Sequence, residues 1–295
     1  MKLLVTGARG QVGWELARSL QPLGEVIALD RQRADLGDPA ALRSIVEEIR
    51  PQVIVNAAAY TAVDKAEQDQ AAAQTINAQA PSILAEQAAR SGALLLHYST
   101  DYVFDGSKSR PYSEDDAPNP LNVYGRTKLE GERAIAALGR DWLVLRTSWV
   151  YSARGGNFPR TMLRLAQERD KLSVVNDQVG APTSSRFIAD ATAQIVFRAL
   201  AERKAGQFAS GVFHLTSAGE TSWHGLAEAV IGGARERGAP IRIQQIAGIP
   251  GSQYPTPARR PMNSRLDLAR VQSRFGVTPP DWRTGIELLL DELLL

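Results

Sequence analysis

The 295-residue chain contains no cysteine, and histidine occurs at only three positions, His97, His214 and His224. Disulfides and thiolate metal sites are therefore excluded, and nothing points to an oxidising compartment. Three scattered histidines give no zinc pattern either. Neither sign of charge dominates: 34 Lys and Arg face 32 Asp and Glu, a net charge of +2. That does not suggest the clustered basic face of a nucleic-acid-binding protein. Long apolar runs are missing. Met1-Lys2 leads into a short run that stops at Thr6-Gly7. This is too short for a signal-peptide core, and no later run is long enough to span a membrane. The expectation is a cytoplasmic protein with a small-molecule partner, and with neither nucleic acid nor membrane among its partners.

What is present is ordinary for a globular protein: 44% hydrophobic and 22% charged residues. Short apolar runs alternate with helical patterns. Strands are expected at 2–7, 25–30, 52–58, 93–100 and 142–150. Helices are expected at 11–24, 38–50, 71–90 and from Tyr124 onward. Residues 105–120 read as a polar, turn-rich loop. Strands rich in Val, Ile and Leu on both faces, with helices between, mean a parallel sheet covered on both sides. Residues 1–150 are thus expected to form a doubly wound, Rossmann-type α/β dinucleotide-binding domain. Part of 151–220 is expected to add to it. Residues 151–295 are expected to form mainly a smaller, mixed α/β substrate-binding lobe. Helices are read there at 157–169, 185–203, 222–237 and 282–295. Strands are read at 172–176, 212–217 and 241–246, and a proline-rich loop at 249–261. The leucine-rich end, IELLLDELLL, packs either internally or on a second subunit, so monomer and homodimer both stay open.

TGARGQVG (6–13) spaces Gly7, Gly10 and Gly13 as G-x-x-G-x-x-G between the first strand and the first helix. Glycine allows the tight turn and lets backbone approach a phosphate, while free N–H groups at the helix N-terminus face an anion. Asp30 ends the second strand some 20 residues on, where a carboxylate can bond the ribose hydroxyls of a dinucleotide. Arg31 and Arg33 follow and suit a 2′-phosphate instead. NADH and NADPH both remain open.

NVYGRTKLEGE (122–132) sets Tyr124 and Lys128 one helical turn apart, and Thr100 closes the fourth strand. Reducing a ketone requires hydride on carbon and a proton on oxygen. Tyr124 can supply that proton as a general acid. A cation at i+4 stabilises the phenolate that remains. Thr100 can bond and polarise the carbonyl oxygen.

Together, these motifs resemble the extended short-chain dehydrogenase/reductase family. The blocks GQVGWEL, VNAAAYTAVDKAE, HYSTDYVFDG, LNVYGRTKLEGE, RTSWVY, NDQVGAPT and YPTPARRPMNSRLD are similar to its branch of dTDP-4-dehydrorhamnose reductases, spanning residues 7–267. The resemblance implies NAD(P)H-dependent reduction of a nucleotide-sugar C4 ketone in rhamnose biosynthesis. It implies cofactor contacts at Gln11, Val12, Asp35, Leu36, Ala59, Tyr60, Thr61 and Tyr98, besides Tyr124 and a ribose contact from Lys128. It implies substrate contacts at Asp101 and Trp149. Dimeric members place magnesium near the residue matching Glu15, but Arg186 falls where such a site wants acid. No metal site is expected from the sequence. In the loop 254–265, Arg259, Arg260 and Arg265 suit a pyrophosphate, with Tyr254 and Asn263 beside them for the rest of the substrate.

Two other readings stay in view. A 4,6-dehydratase of this fold carries Asp-Glu after its threonine, whereas Asp101-Tyr102 stands here. An epimerase, or a non-catalytic dinucleotide-binding module like the regulatory subunit of methionine adenosyltransferase, shares the fold.

Overall fold

The computed structural model describes residues 1–294. Among these, six strands form a central parallel sheet: β1 (Lys2–Thr6), β2 (Glu25–Leu29), β3 (Val53–Asn56), β4 (Leu94–Thr100), β5 (Trp142–Thr147) and β6 (Gly211–His214). Their order is β6-β5-β4-β3-β1-β2. The chain leaves β1 to one side for β2 and returns on its other side for β3, so the topological switch lies between β1 and β3. In open α/β sheets the crevice at such a point, outside the carboxyl ends of the strands, takes the ligand.

Helices α1 (Gln11–Ser19), α2 (Pro39–Ile49), α3 (Ala80–Ser91), α4 (Val123–Leu138) and α5 (Ser185–Lys204) clothe this sheet. Leu16 and Leu20 join Ile188, Ile195 and Val196 of α5 on one face. Leu42, Val46, Leu84 and Ile135 cover the other face. All seven residues of β4 are buried, as an apolar strand with both faces covered requires. A separate apolar cluster joins Tyr151, Leu163, Leu226, Val230, Trp282 and Leu290 of the second half. The leucine-rich helix Trp282–Leu294 buries Ile286, Leu289 and Leu290 within the same chain. No described helix is long and apolar enough to cross a membrane.

Several boundaries differ from the sequence expectation. The first helix stops at Ser19 rather than running to Gly24, because Pro22 falls in a tight 3-10 turn, Gln21–Leu23. The strand expected over 142–150 ends at Thr147, since Trp149 takes a positive φ of 47°. The strand expected at 241–246 begins at Gln245 and pairs in parallel with Lys171–Val175. The N–H groups of Arg242 and Ile243 are spent on the Ala166 carbonyl, at the end of the helix Phe158–Glu168. A short helix, Ala269–Phe275, was not expected at all. The alanine-rich stretch is helical from Gln70 to Ser91, but its middle turn, Thr75–Gln79, is a π-helix.

Between α4 and β5 lies a buried ion pair. Arg146 donates from Nε and Nη2 to Glu132 at 2.9 and 2.6 Å, and both residues are at most 5% exposed. Such a pair adds little over an apolar pair of the same shape, but breaking it strands a buried charge. Arg146→Met is expected to cost about 3–5 kcal/mol in urea unfolding, with much of that loss recovered when Glu132→Leu is added. A loss below about 1 kcal/mol for the single variant would contradict the buried pair.

Candidate active site

The glycine loop builds the floor of the cleft. Gly7 turns at φ +73°, and its carbonyl accepts the Gly10 N–H at 2.8 Å. A Cβ on Gly13 would stand 2.1 Å from that carbonyl oxygen, so only glycine lets α1 sit against the turn. Gly10 opens α1 with no side-chain cap, which leaves the helix N–H groups for a ligand. A cleft of about 540 Å³ opens above it. Gly7, Gly10, Gln11 and Val12 line it on one side, and Asp35 and Leu36 at the far end. Ala59, Tyr60 and Thr61 line it after β3. Tyr98, Tyr124 and Lys128 line it at the sheet end. Ser99 and Thr147 line it as well, each with a buried hydroxyl that has no partner among the described residues. Sequence reasoning passed over both.

Two expected cofactor residues stand outside the lining. Gly13 acts by close packing, as just described. Asp30 does not offer its carboxylate freely: Arg9 holds it at 2.8 Å, and it also accepts the Gln32 N–H. Gln11 does more than line the cleft, because its Oε1 accepts from Ser152 and Asn157 and ties the glycine loop to the second half of the chain. The Tyr60 loop is pinned by Asn77 of the π turn. Asn77 accepts the Tyr60 N–H at 2.8 Å, and donates to the Tyr60 carbonyl and to Thr127. Nothing in the local sequence pattern marked Asn77.

Helix α4 presents the tyrosine and lysine. Asn122 caps it by accepting the Gly125 N–H, and donates to the Arg259 carbonyl at 2.8 Å. A Cβ on Gly125 would stand 2.1 Å from the Tyr102 carbonyl oxygen, so a glycine here brings the helix directly onto the turn after β4. Tyr102 and Tyr124 meet edge to face, centroids 5.8 Å apart. Burial pushes the Tyr124 phenol up to about 12, and the Asp101 charge adds to this, while the Thr100 hydroxyl works against it. Lys128 is 2% exposed. Burial brings it down to about 8, opposed by the charge of Glu132 one turn on. Its Nζ donates to the Tyr98 carbonyl at 2.6 Å and lies 3.1 Å from His97 Nε2. The Lys128 charge is not among the groups that move the Tyr124 phenol, so the phenolate stabilisation expected from the cation at i+4 is not seen between these two side chains.

Thr100 departs from expectation. Its hydroxyl donates to Asp101 Oδ1 at 2.9 Å and accepts the Tyr102 N–H at 3.1 Å. It can turn towards a carbonyl oxygen only by releasing Asp101. Burial raises the Asp101 carboxyl to about 6.

Of the residues expected for substrate, Tyr124 lines this cleft, whereas Thr100, Asp101, Trp149, Tyr254, Arg259 and Asn263 do not. Trp149 stacks on Trp223, centroids 3.6 Å apart and planes 11° apart, in its strained backbone conformation. Tyr254 and Arg259 are exposed on the loop 254–265. That loop is fixed by Arg260, which donates to Asp64 at 2.8 Å. Asn263 is not free to bond a ligand through its amide. It donates to the Lys108 and Arg110 carbonyls and accepts from Arg265, so it fastens the 105–120 loop instead. Among the described residues no cluster of three or more His, Asp or Glu is placed to hold a metal ion. Glu15 is matched by Arg18 at 3.5 Å and Arg186 at 3.9 Å, and Arg186 also binds Glu292. Two cations at that carboxylate do not suit magnesium.

A glycine turn at the first strand of a doubly wound sheet, with Tyr-x-x-x-Lys beneath the cleft it opens, defines a short-chain dehydrogenase/reductase of the extended class. The family model described as the RmlD substrate binding domain matches residues 1–295, and the chain belongs to that family. It is similar to the dTDP-4-dehydrorhamnose reductase of Burkholderia thailandensis, 56% identical across 100% of this chain and 99% of the relative. Its fold is similar to a Clostridium acetobutylicum dTDP-4-dehydrorhamnose reductase, with TM-score 0.89, 36% identity and full coverage of both chains. It is also similar to the Bacillus anthracis dTDP-4-dehydrorhamnose reductase in complex with NADP, with TM-score 0.87, 30% identity and 99% of each chain covered.

The raised Asp101 carboxyl carries a sign. Its contribution to stability is fully present below the unfolded value, near 3.9, and is lost as pH rises through about 6. At pH 8 the folded chain bears a buried carboxylate. Asp101→Asn, which still accepts from Thr100, is expected to stabilise the fold by about 1–3 kcal/mol at pH 8, with the gain shrinking towards pH 4. Urea unfolding at the two pH values measures this, and a gain that is larger at the lower pH would reverse the assignment.

Proposed function

We propose that this chain is an NAD(P)H-dependent oxidoreductase that reduces the C4 ketone of dTDP-4-dehydro-L-rhamnose to dTDP-L-rhamnose. One observation carries the reading: Tyr124 and Lys128 face a cleft floored by an uncapped helix N-terminus and a glycine turn. The names of its relatives supply the sugar. The residues fit a dinucleotide. The Gly7–Gly13 turn and the start of α1 receive the pyrophosphate, Asp35 and Leu36 flank the adenine end, and Lys128 meets the nicotinamide ribose. When bound, the dinucleotide supplies the hydride.

The chain does the rest. Tyr124 gives its proton to the sugar C4 oxygen as negative charge develops there. Lys128, charged, stabilises the tyrosinate left behind. Ser99 and Thr147 offer hydroxyls along the cleft, and Thr100 holds Asp101 beside the reacting oxygen. Trp149 gives a flat apolar wall to the sugar, and Arg259 and Tyr254 meet the nucleotide from the loop above. Residues 1–150, with α5 and β6, carry the dinucleotide, and the remaining second half carries the sugar nucleotide. The protein works in the cytoplasm, on small molecules.

The test is NADPH and NADH oxidation, followed by absorbance, with the ketosugar nucleotide made in situ. Oxidation with dTDP-L-rhamnose as product supports the reading. No oxidation by protein shown to bind the dinucleotide would move it to an epimerase or a non-catalytic module. Tyr124→Phe should keep cofactor binding and lower kcat roughly 10²–10⁴-fold. Near-normal turnover would overturn the acid role.

Cofactor choice follows from Asp30. A bare carboxylate there repels a 2′-phosphate, and Arg9 covers it. Arg9→Ala is expected to weaken NADPH binding about tenfold, roughly 1.4 kcal/mol, with a smaller change for NADH. Equal losses for the two would refute this.

A further inference from the structure

Behind Lys128, away from the cleft, a row of polar side chains crosses the sheet. Thr6, Asn56 and His97 lie side by side in register on β1, β3 and β4. Each is at most 1% exposed. A row of polar groups in a parallel sheet core is costly unless each finds a partner. Here the partners form a directed chain. Thr6 Oγ1 donates to Asn56 Oδ1 at 2.6 Å, and the Ala58 N–H donates to the same oxygen at 3.3 Å. The Ala58 N–H can only donate, so the amide end it meets is oxygen, and the Thr6 hydroxyl turns its proton to the same atom. Nδ2 therefore faces His97, 2.9 Å from Nδ1. An amide nitrogen only donates, so Nδ1 accepts, and the proton of the neutral ring sits on Nε2.

That N–H points at Lys128 Nζ, 3.1 Å away. An ammonium has three donors and no lone pair. Against Nε2–H it is a donor facing a donor. Only the neutral amine can accept this bond, while still donating to the Tyr98 carbonyl. We propose that His97 is a positioning residue for the Tyr124/Lys128 pair, locked by Thr6 and Asn56 as the Nε2–H tautomer, so that it aims Lys128 and weakens its hold on a proton. The proposal rests on the reductase reading for its catalytic consequence, but not for the tautomer.

The other groups around Lys128 divide by sign. Burial acts in the same direction as the His97 N–H. Glu132 acts against it from the next turn of α4, though its charge is shared with Arg146 of β5. Burial also holds His97 uncharged, so no second cation forms behind the lysine. Tyr98 turns its phenol away, to Thr192. Tyr124 lies one turn back, packed like Tyr60 against the cluster of Ala66, Ala73 and Val123. Turnover needs Lys128 charged when Tyr124 gives up its proton. It therefore falls as pH rises through the Lys128 titration, and the Nε2–H tautomer brings that fall closer to neutral pH.

The experiment uses full-length protein labelled with ¹⁵N in histidine. Three histidines make the two-bond proton–nitrogen spectrum simple to assign, with His97 identified by its loss in His97→Gln. The expected result is a neutral Nε2–H ring for His97 from pH 5.5 to 9. Its nitrogen shifts should also report a Lys128 titration well below the ordinary lysine range near 10.4. Asn56→Asp offers a carboxylate to Nδ1. It should turn the ring to Nδ1–H and move the upper-pH fall in kcat upward by about one unit or more, with little change in KM for the dinucleotide. Thr6→Val keeps the side-chain shape but removes one donor, and should yield both tautomers. An Nδ1–H ring in the unaltered protein overturns the proposal. So does an Asn56→Asp variant whose ring turns while its pH profile stays in place. An unchanged ring in Thr6→Val overturns the relay even where Asn56→Asp does not fold. The spectra need no substrate, so failure to reduce the ketosugar would sink the functional reading and leave the tautomer result standing.

Discussion

Everything at the reacting end of the cleft depends on how closely one helix is allowed to approach the sheet. Helix α4 comes down on the turn after β4 until the Gly125 Cα lies against the Tyr102 carbonyl, and any side chain there would collide at 2.1 Å. Further along, Gly131 meets the Asn77 carbonyl just as closely, with 2.2 Å to an added Cβ. These two backbone approaches set the depth and angle of the helix. Tyr124 and Lys128 then have no freedom to drift from the end of β4. Ångström-level placement of this kind is what converts a weak phenolic acid into a useful one, because proton transfer depends steeply on geometry.

Close approach also carries a consequence for charge. A helix pressed this tightly buries whatever it carries inward, and α4 carries Lys128 and Glu132. The fold answers each. Glu132 receives the two-pronged Arg146, and Lys128 receives a carbonyl and a histidine. The two answers are unlike. Arg146 neutralises its partner through two parallel hydrogen bonds, as a structural pair does. The carbonyl and the ring leave Lys128 its proton but hold it loosely. A group that has to respond to the charge on a neighbouring phenol is suited by the second environment and not by the first.

The sequence carried much of this, and the pattern of what it did not carry has a physical cause. Local signals were read well. The glycine turn, the helix expected from residue 38, which Asp38 caps, and the apolar parallel strands each depend on neighbours in the chain. Tyr124 and Lys128 were legible because one helical turn fixes their spacing whatever surrounds them. Missed features depend on strand register or on contacts from far along the chain. Asn77 shows its role only once the π turn and Thr127 are brought together across 50 residues. Asn263 looked like a ligand for substrate and proves to be a fastener, because the carbonyls it binds lie some 150 residues away. His97 entered the sequence reading only as one of three scattered histidines. It is fully buried, with its second nitrogen against Lys128.

The same distinction bears on Asp30. An acidic residue at the end of a second strand normally reads as a ribose ligand, since the position alone implies the contact. Here Arg9, from inside the glycine loop, lies against it. Arg9 belongs to the glycine motif itself, so the loop that floors the cleft also covers the carboxylate at the end of the second strand. A carboxylate so covered neither bars a 2′-phosphate nor gives up its capacity to accept from a hydroxyl.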